Sequence, residues 1–197
     1  YWDEIFSFLN KDINALEVGC GNGKYGKLLN TILNDKLNSY TGIDFNSYNN
    51  WSKISNDKIN FYKSDCLDIN NYIKNKNLIF TQSAIEHFEY DLTFFDLIKD
   101  YIKSNNRRVI QIHLMPSSQC FYTYLWHGYR HYNINSISKL TRIFDDNFSF
   151  ELIALGSKES NKFHFNSITL PRLLKNIGLR DINTIEYQKR LRKKIEQ

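Results

Sequence analysis

The stretch Leu16-Glu17-Val18-Gly19-Cys20-Gly21-Asn22-Gly23 decides how this sequence folds. It begins in a short apolar run, residues 15–18, which is typical of a buried strand. It ends where residues 24–33 take up a helix pattern, with apolar residues on one side. Alternating glycines let a ligand approach the backbone because no Cβ blocks it, and a helix start offers N–H groups to the same ligand. The stretch therefore predicts a strand–turn–helix unit whose turn binds a ligand, although three glycines could also form a plain turn.

The rest of the chain extends this unit into a strand–helix alternation. Further strands are predicted at residues 40–45, 59–62, 78–81 and 109–114, and helices at residues 1–9 and 92–102. This order predicts an α/β fold with a parallel sheet and helices on both faces. Beyond it we expect an aromatic insertion at residues 116–135, a helix at 137–144, and strands at 148–155 and 185–187. Because no linker or internal repeat is visible, a single domain over residues 1–197 is predicted.

The residues around the turn indicate which ligand it binds. Asp44 closes the second predicted strand, where a carboxylate accepts hydrogen bonds from the two hydroxyls of a ribose, although Asp44 could also cap a helix. Residues 21–26 match the GxGxxG fingerprint of dinucleotide sites. The first glycine of that fingerprint should follow the strand directly, however, and here that glycine is Gly19, which makes the pattern GxGxG. Glu17 would oppose an anionic pyrophosphate, whereas it favours a cationic ligand such as S-adenosylmethionine (SAM).

Four stretches in order resemble the motifs of class I SAM-dependent methyltransferases. They are Glu17 to Gly23, Gly42-Ile43-Asp44, Ser64-Asp65-Cys66, and residues 80–88, which include a Glu-His pair; together they cover residues 15–115. The resemblance implies a Rossmann-like, mostly parallel seven-stranded sheet, SAM as cofactor and S-adenosylhomocysteine (SAH) as product. For Asp65, which the resemblance directs to the adenine amino group, a capped turn is the alternative. The cofactor-binding residues that the resemblance and the strand ends imply are Glu17, Gly19, Cys20, Gly21, Gly23, Asp44, Phe45, Asp65, Cys66, Gln82 and Ser83.

The sequence also narrows the class of acceptor. The place where amino-group methylases of the family carry Asn/Asp-Pro-Pro-Tyr/Phe reads Thr81-Gln82-Ser83-Ala84, and no cysteine has a proline neighbour, as a cytosine-C5 enzyme needs. Catechol-type members hold a cation with Asp and Asn near the ends of strands four and five, where this sequence has Gln82 and Ser83, so no metal is expected. A metal-independent O-methyltransferase is predicted, in which a general base accelerates the attack of a hydroxyl.

Candidate catalytic and acceptor-binding residues follow the fourth and fifth strands. His87 and His113 are candidate bases, because an imidazole accepts a proton near pH 7; the alternatives are a helix-end residue for His87 and a core histidine for His113. In the insertion, Trp126, His127, Tyr129 and Arg130 combine aromatic and cationic groups that fit a phosphate or carboxylate, unless the segment is an aromatic core piece. The insertion also resembles small methyltransferases of bacterial surface-polysaccharide gene clusters. We therefore predict a small, polar, anionic acceptor, such as a sugar or a phosphorylated or phosphoramidate capsule precursor.

Composition limits the remaining possibilities. No apolar run reaches the length of a membrane span, and three scattered cysteines fit a reducing cytoplasm better than a disulfide framework. The net charge is +5, with a basic run at residues 189–194 that is predicted to be a solvated helix face. The alternatives that stay open are an RNA methyltransferase, for which this run would bind nucleic acid, and a SAM-binding module without catalysis.

Overall fold

A computed structural model of the chain describes residues 12–105, 108–118, 120, 130–144, 148–175 and 178–195. The strands in this part are β1 (Ile13–Val18), β2 (Leu37–Asp44), β3 (Ile59–Lys63), β4 (Leu78–Gln82) and β5 (Ile110–Leu114). They form one sheet in the order β3-β2-β1-β4-β5, and every pairing is parallel. Strands with both faces covered carry near-continuous apolar runs, and β4 reads Leu-Ile-Phe-Thr-Gln with its first four residues buried.

Helices connect and follow the strands. They are α1 (Lys24–Leu33), α2 (Trp51–Ile54), α3 (Asp91–Asn105), α4 (Ile134–Thr141), α5 (Lys158–His164), α6 (Leu170–Lys175), α7 (Leu179–Ile182) and α8 (Thr184–Ile195). Short 3-10 turns cover Asn34–Lys36, Cys66–Asn71 and Ile85–His87, and the π-helical turn Phe165–Thr169 joins α5 to α6. Among the described residues, no helix is both long and apolar enough to cross a bilayer.

Each face of the sheet has its own core. On one face α1 contributes Leu29 and Leu33, which join a buried cluster with Tyr40 and Phe80 of the strands. The opposite face buries three α3 residues against strand residues of β1, β2 and β4; these α3 residues are Phe94, Phe95 and Ile98. The amphipathic spacing of α1 and α3 is therefore what holds them on opposite faces of the sheet.

The first five predicted strands are confirmed, but the prediction of seven is wrong for the described chain. Residues 148–155 form no strand, although their apolar residues alternate. Residues 185–187 belong to α8, because Tyr187 is buried on that helix and stacks on Phe163. The predicted helix at 1–9 lies outside the described residues, as do residues 119 and 121–129 of the insertion at 116–135.

The strand order creates a crevice at one position. The chain leaves β1 to form β2 and β3 on one side, and then returns to form β4 and β5 on the other. Ligands of open α/β sheets bind where this order reverses, outside the carboxyl ends of the strands. The glycine turn after β1 and the loop after β4 both lie at this edge.

Candidate functional site

The glycine turn after β1 is hydrogen-bonded to β2 and packs against the loop after β4. Gly19, Gly21 and Gly23 all have positive φ angles, of 76°, 52° and 79°, which glycine adopts at no steric cost. The N–H groups of Gly19 and Cys20 donate to the Ile43 carbonyl at 2.8 and 3.1 Å. A Cβ on Gly19 would overlap the Cβ of Ala84, in the loop after β4. The turn therefore joins the ends of β1, β2 and β4 in one rigid unit.

Gly21 is the glycine of the turn that faces open space. A Cβ added there would meet no atom within 4 Å, whereas one at Gly23 would lie 2.6 Å from the Phe61 ring. Gly19 and Gly23 are thus required by packing inside the protein. Gly21 is required by its backbone conformation, and the space above it is available to a ligand.

Asp44 lies at the end of β2, beside Gly21. Its Oδ2 accepts the Gly21 N–H at 2.8 Å, and its Oδ1 accepts the Asn46 N–H at 2.9 Å. Each carboxylate oxygen has a second lone pair, so both still have a place for a hydroxyl donor. Phe45 follows directly and exposes its ring, which makes it available for stacking on a planar ligand.

Trp51 supports the turn from outside, although it lies in none of the four motif stretches of the sequence. The Trp51 Nε1–H donates to the Gly21 carbonyl at 2.8 Å, and the ring stacks on Phe61 with centroids 5.5 Å apart. Asn50 adds a bond from its Nδ2 to the Asn22 carbonyl at 3.1 Å. The available signal was a lone tryptophan in a polar, asparagine-rich stretch, because such a ring needs an apolar surface to cover.

Glu17 is buried in β1 with a partner that the sequence analysis did not identify. The Tyr40 hydroxyl donates to Glu17 Oε2. Burial raises the pKa of Glu17 to about 8; the Tyr40 bond opposes this, and the nearby Asp44 charge adds to it. In this state the Glu17 carboxyl is protonated at neutral pH. Its prediction as a cofactor-binding residue is untested, and its observed contact lies within the sheet.

Asp65 and Cys66 follow β3 at the same edge. Asp65 caps the 3-10 turn Cys66–Asn71, with its Oδ1 accepting the Leu67 N–H at 2.8 Å. The capped turn is therefore present, and the second carboxylate oxygen lies on an exposed residue. Burial, with the Asp65 charge, raises the pKa of the Cys66 thiol to about 12, so it is no nucleophile at neutral pH.

The loop after β4 carries Gln82, Ser83 and His87. Ser83 has a positive φ of 49°, and its N–H donates to the Leu114 carbonyl of β5 at 3.0 Å. A non-glycine residue in this conformation is uncommon and often marks a functional turn. His87 lies at the end of the 3-10 turn Ile85–His87 and is exposed.

His113 lies partly buried on β5. Its Nδ1 lies 3.0 Å from Thr81 Oγ1, its Nε2 lies 3.3 Å from Gln111 Oε1, and its ring packs edge-on against Phe95. Burial lowers the pKa of His113 to about 3. Both ring nitrogens have protein partners and the ring is a weak base, so these contacts favour the core-histidine alternative over the catalytic one.

Arg130 ends the insertion and is bound by the protein itself. Its Nη1 pairs with the buried carboxylate of Asp91, and its Nη2 donates to the Glu89 carbonyl at 2.9 Å. The Tyr132 hydroxyl donates to the other Asp91 oxygen at 2.9 Å. These contacts fix the end of the insertion to the start of α3, and the binding of an acceptor by Arg130 stays a prediction. Trp126, His127 and Tyr129 lie outside the described residues.

A broad cavity opens between the loops after β4 and β5. Its volume is about 2450 Å³, and it continues along β5 toward the C-terminal helices. Gln82 and Ser83 line it on one side, and Met115, Pro116 and Tyr132 line it on the other. The backbone bridge between Ser117 and Tyr132 closes the base of the insertion beside this cavity.

No protein-family model and no curated protein match the sequence. Solved structures match the fold. The plantazolicin methyltransferase BamL, in complex with a triazolic desmethylPZN analogue and SAH, superposes with a TM-score of 0.55 at 15% identity, over 86% of this chain and 71% of that one. A proposed methyltransferase from Bacillus halodurans gives 0.51 at 12% identity, over 68% of this chain and 62% of that one. The [4+2]-cyclase SpnF superposes with a TM-score of 0.51 at 16% identity, over 80% of this chain and 58% of that one.

These likenesses show the fold, which is the Rossmann-like fold of class I SAM-dependent methyltransferases. The chain spans less than two thirds of the length of the last two proteins. SpnF is named for a different reaction, so the function has to be argued from the site itself.

Proposed function

We propose that the protein is a SAM-dependent methyltransferase that acts on a small polar acceptor. The observation that carries the proposal is the open, positive-φ backbone of Gly21 between β1 and the carboxylate of Asp44. A ligand that lies against this turn meets backbone without side chains and a carboxylate suited to a ribose. The presence of the same fold in a methyltransferase solved with SAH supports this choice of ligand.

The chain offers a consistent set of groups to such a cofactor. Asp44 would accept the ribose hydroxyls, Phe45 would cover the adenine, and Asp65 would accept the adenine amino group. The acidic residues that end β2 and follow β3 favour a cationic ligand over a dinucleotide with its anionic pyrophosphate. When bound, SAM supplies a methyl group on a positively charged sulfur, which an acceptor oxygen attacks directly.

The acceptor would enter the cavity beside Gln82 and Ser83. The chain's task there is to align the acceptor hydroxyl and to keep water out. We propose that His87 takes the proton of this hydroxyl, because it is exposed after β4, whereas the ring of His113 packs against Phe95 and its pKa is lowered by burial. A sugar or a phosphorylated precursor of a surface polysaccharide has such a hydroxyl. The described contacts of Arg130 are all to protein groups, so the anionic character of the acceptor rests on the sequence of the insertion.

Calorimetric titration with SAM, SAH and NAD tests the proposal. We expect SAM and SAH to bind and NAD not to, and Asp44→Asn to weaken SAM by about tenfold, since one charged hydrogen bond contributes roughly 1.5–3 kcal/mol. Asp57→Asn, at an exposed carboxylate away from the turn, is the control. Binding of NAD but not of SAM would contradict the assignment of SAM as the cofactor.

Turnover is tested with labelled SAM and a panel of sugars and sugar phosphates. His87→Ala should lower kcat by about 10²–10⁴-fold with SAM affinity unchanged, whereas His113→Asn should mainly lower stability. Tight SAM binding with no transfer to any acceptor would favour a binding module instead.

A further inference from the structure

The positive charge of this protein is concentrated in its C-terminal helices. Residues 158–195 contain ten Lys and Arg residues against three Asp and Glu residues, a net charge of +7, whereas the whole chain carries +5. The remainder of the chain is therefore weakly acidic. An asymmetry of this kind indicates an anionic partner on one side of the molecule.

The same helices expose aliphatic side chains. Leu174 on α6 is 73% exposed, Ile182 on α7 is 72% exposed and Ile185 on α8 is 80% exposed. Ile182 shares a shallow groove with Pro171 and Lys175. On α8 the spacing i, i+4, i+7 brings Ile185, Lys189 and Arg192 to one side of the helix. Exposed apolar and cationic side chains thus occur together on these helices, and with the half-buried Pro171 we call them the basic apolar surface (Pro171, Leu174, Lys175, Ile182, Ile185, Lys189 and Arg192).

Other residues make the contacts that hold these helices together. Arg172 binds Asp181 through two nitrogens, Nε at 2.9 Å and Nη2 at 2.5 Å, and this links α6 to α7. Tyr187 is buried, stacks on Phe163 and bonds to His164 Nδ1 at 2.8 Å, and this links α8 to α5. The exposed aliphatic residues are therefore not the ones that fold the helices, and they remain available to a partner.

We propose that the basic apolar surface docks on an anionic lipid bilayer at the headgroup level. Aliphatic side chains among Lys and Arg residues match the two parts of such an interface, since the cations contact the headgroups while Leu and Ile enter the acyl boundary. RNA is a poorer match, because sequence-tolerant RNA binding uses exposed aromatic rings. In the described part of residues 158–195, the large exposed hydrophobic side chains are all aliphatic. A second copy of the chain is also a poorer match, because two surfaces of this charge repel each other.

Sedimentation of the purified chain with extruded vesicles tests this proposal. We expect binding to phosphatidylcholine vesicles that contain about 30% phosphatidylglycerol, little binding to phosphatidylcholine alone, and release at high salt, because anionic headgroups supply the attraction. The double variant Lys189→Glu with Arg192→Glu should weaken binding by more than about tenfold. The double variant Ile182→Asn with Ile185→Asn should weaken it by about fivefold or more, because it removes the apolar contact.

Matched controls separate this surface from general effects. Ile134→Asn changes another isoleucine, 82% exposed on α4, and Lys58→Glu changes an exposed lysine before β3. Both should bind vesicles as the unchanged protein does, and all variants should keep the same SAM affinity and melting temperature. The proposal is overturned if the protein binds both kinds of vesicle equally or binds neither. It is also overturned if the two double variants keep vesicle binding and instead abolish binding to RNA or the formation of a dimer.

Discussion

At the residue scale, the three glycines of the turn were predictable as a set, but their separate roles were not. Alternation before a helix start indicates positive φ angles, and all three glycines have them. The sequence does not reveal that Gly19 is required by Ala84 and Gly23 by Phe61, because those neighbours come from the loop after β4 and from β3. For the same reason Trp51 was missed, since its bond to Gly21 depends on tertiary structure.

The different surroundings of the glycines predict different outcomes for alanine substitutions. Gly21→Ala should cost only about 1 kcal/mol of stability, from its positive φ. It should lower SAM affinity by about tenfold or more, because the new Cβ occupies the open space above the turn. Gly23→Ala should lower the melting temperature strongly, because its Cβ would lie 2.6 Å from Phe61. Thermal unfolding and calorimetry distinguish the two. SAM binding by Gly21→Ala at full strength would place the cofactor elsewhere.

Glu17 gives the protein a predictable pH dependence. Burial raises its pKa from 4.5 to about 8, so the native state holds a proton that the unfolded chain releases. The stabilisation that this bound proton gives to the native state is complete below about pH 4.5 and is lost as the pH rises through about 8. Glu17→Gln keeps a neutral side chain, so the variant should gain stability relative to the unchanged protein across this window, by roughly a few kcal/mol. Urea unfolding without cofactor at several pH values measures the difference. The control is Glu151→Gln, at an exposed carboxylate, and a difference that does not change with pH would contradict a protonated Glu17.

At the scale of elements, the parallel strands were predictable and the later ones were not. Runs such as residues 78–81 are apolar throughout because both faces of the sheet are covered, and this signal is local. The alternation in residues 148–155 is also local, but a strand needs a partner, and in the described chain none pairs with it. Residues 185–187 are β-branched or aromatic in part, yet α8 buries Tyr187 against Phe163 and so overrides that propensity.

The contact between Arg130 and Asp91 joins two elements that border the cavity. Asp91 is 8% exposed and receives hydrogen bonds from both Arg130 and Tyr132. Asp91→Asn should therefore lower the free energy of unfolding by about 2 kcal/mol, since charged hydrogen bonds contribute roughly 1.5–3 kcal/mol. Asp96→Asn, which removes an exposed pair with Lys99 on the same helix, should cost at most about 1 kcal/mol. Chemical denaturation measures both.

Arg130→Lys tests the alternative role of the same arginine. If Arg130 is structural, Arg130→Lys lowers the free energy of unfolding. Its effect is then not additive with that of Asp91→Asn, because both changes break the same contact. An acceptor KM that rises by about tenfold at unchanged stability would show instead that the arginine fork holds the acceptor.

At the scale of the whole molecule, charge and chemistry occupy different parts of the chain. The proposed cofactor site lies at the carboxyl ends of β1 and β2 and is bordered by acidic residues, whereas residues 158–195 carry the net positive charge. The amount of charge was evident in the sequence. The sequence does not show which of these charged residues contact another helix and which are exposed, because that depends on which side of α8 faces α5.

This separation predicts that the basic helix is dispensable for methyl transfer to a soluble acceptor. Lys189, Arg192 and Lys193 are all exposed on α8, and changing the three to Gln should leave kcat/KM within a few-fold when no lipid is present. An RNA methyltransferase would behave differently. Each phosphate contact contributes about 0.7–0.9 to the slope of log affinity against log salt, so the triple variant would reduce that slope by about 2 to 3. Turnover measured between about 50 and 300 mM salt separates the two cases. A small-molecule enzyme gives a shallow dependence that the variant does not change. A steep dependence in the unchanged protein, lost together with turnover in the variant, would make nucleic acid the acceptor and α8 the element that binds it.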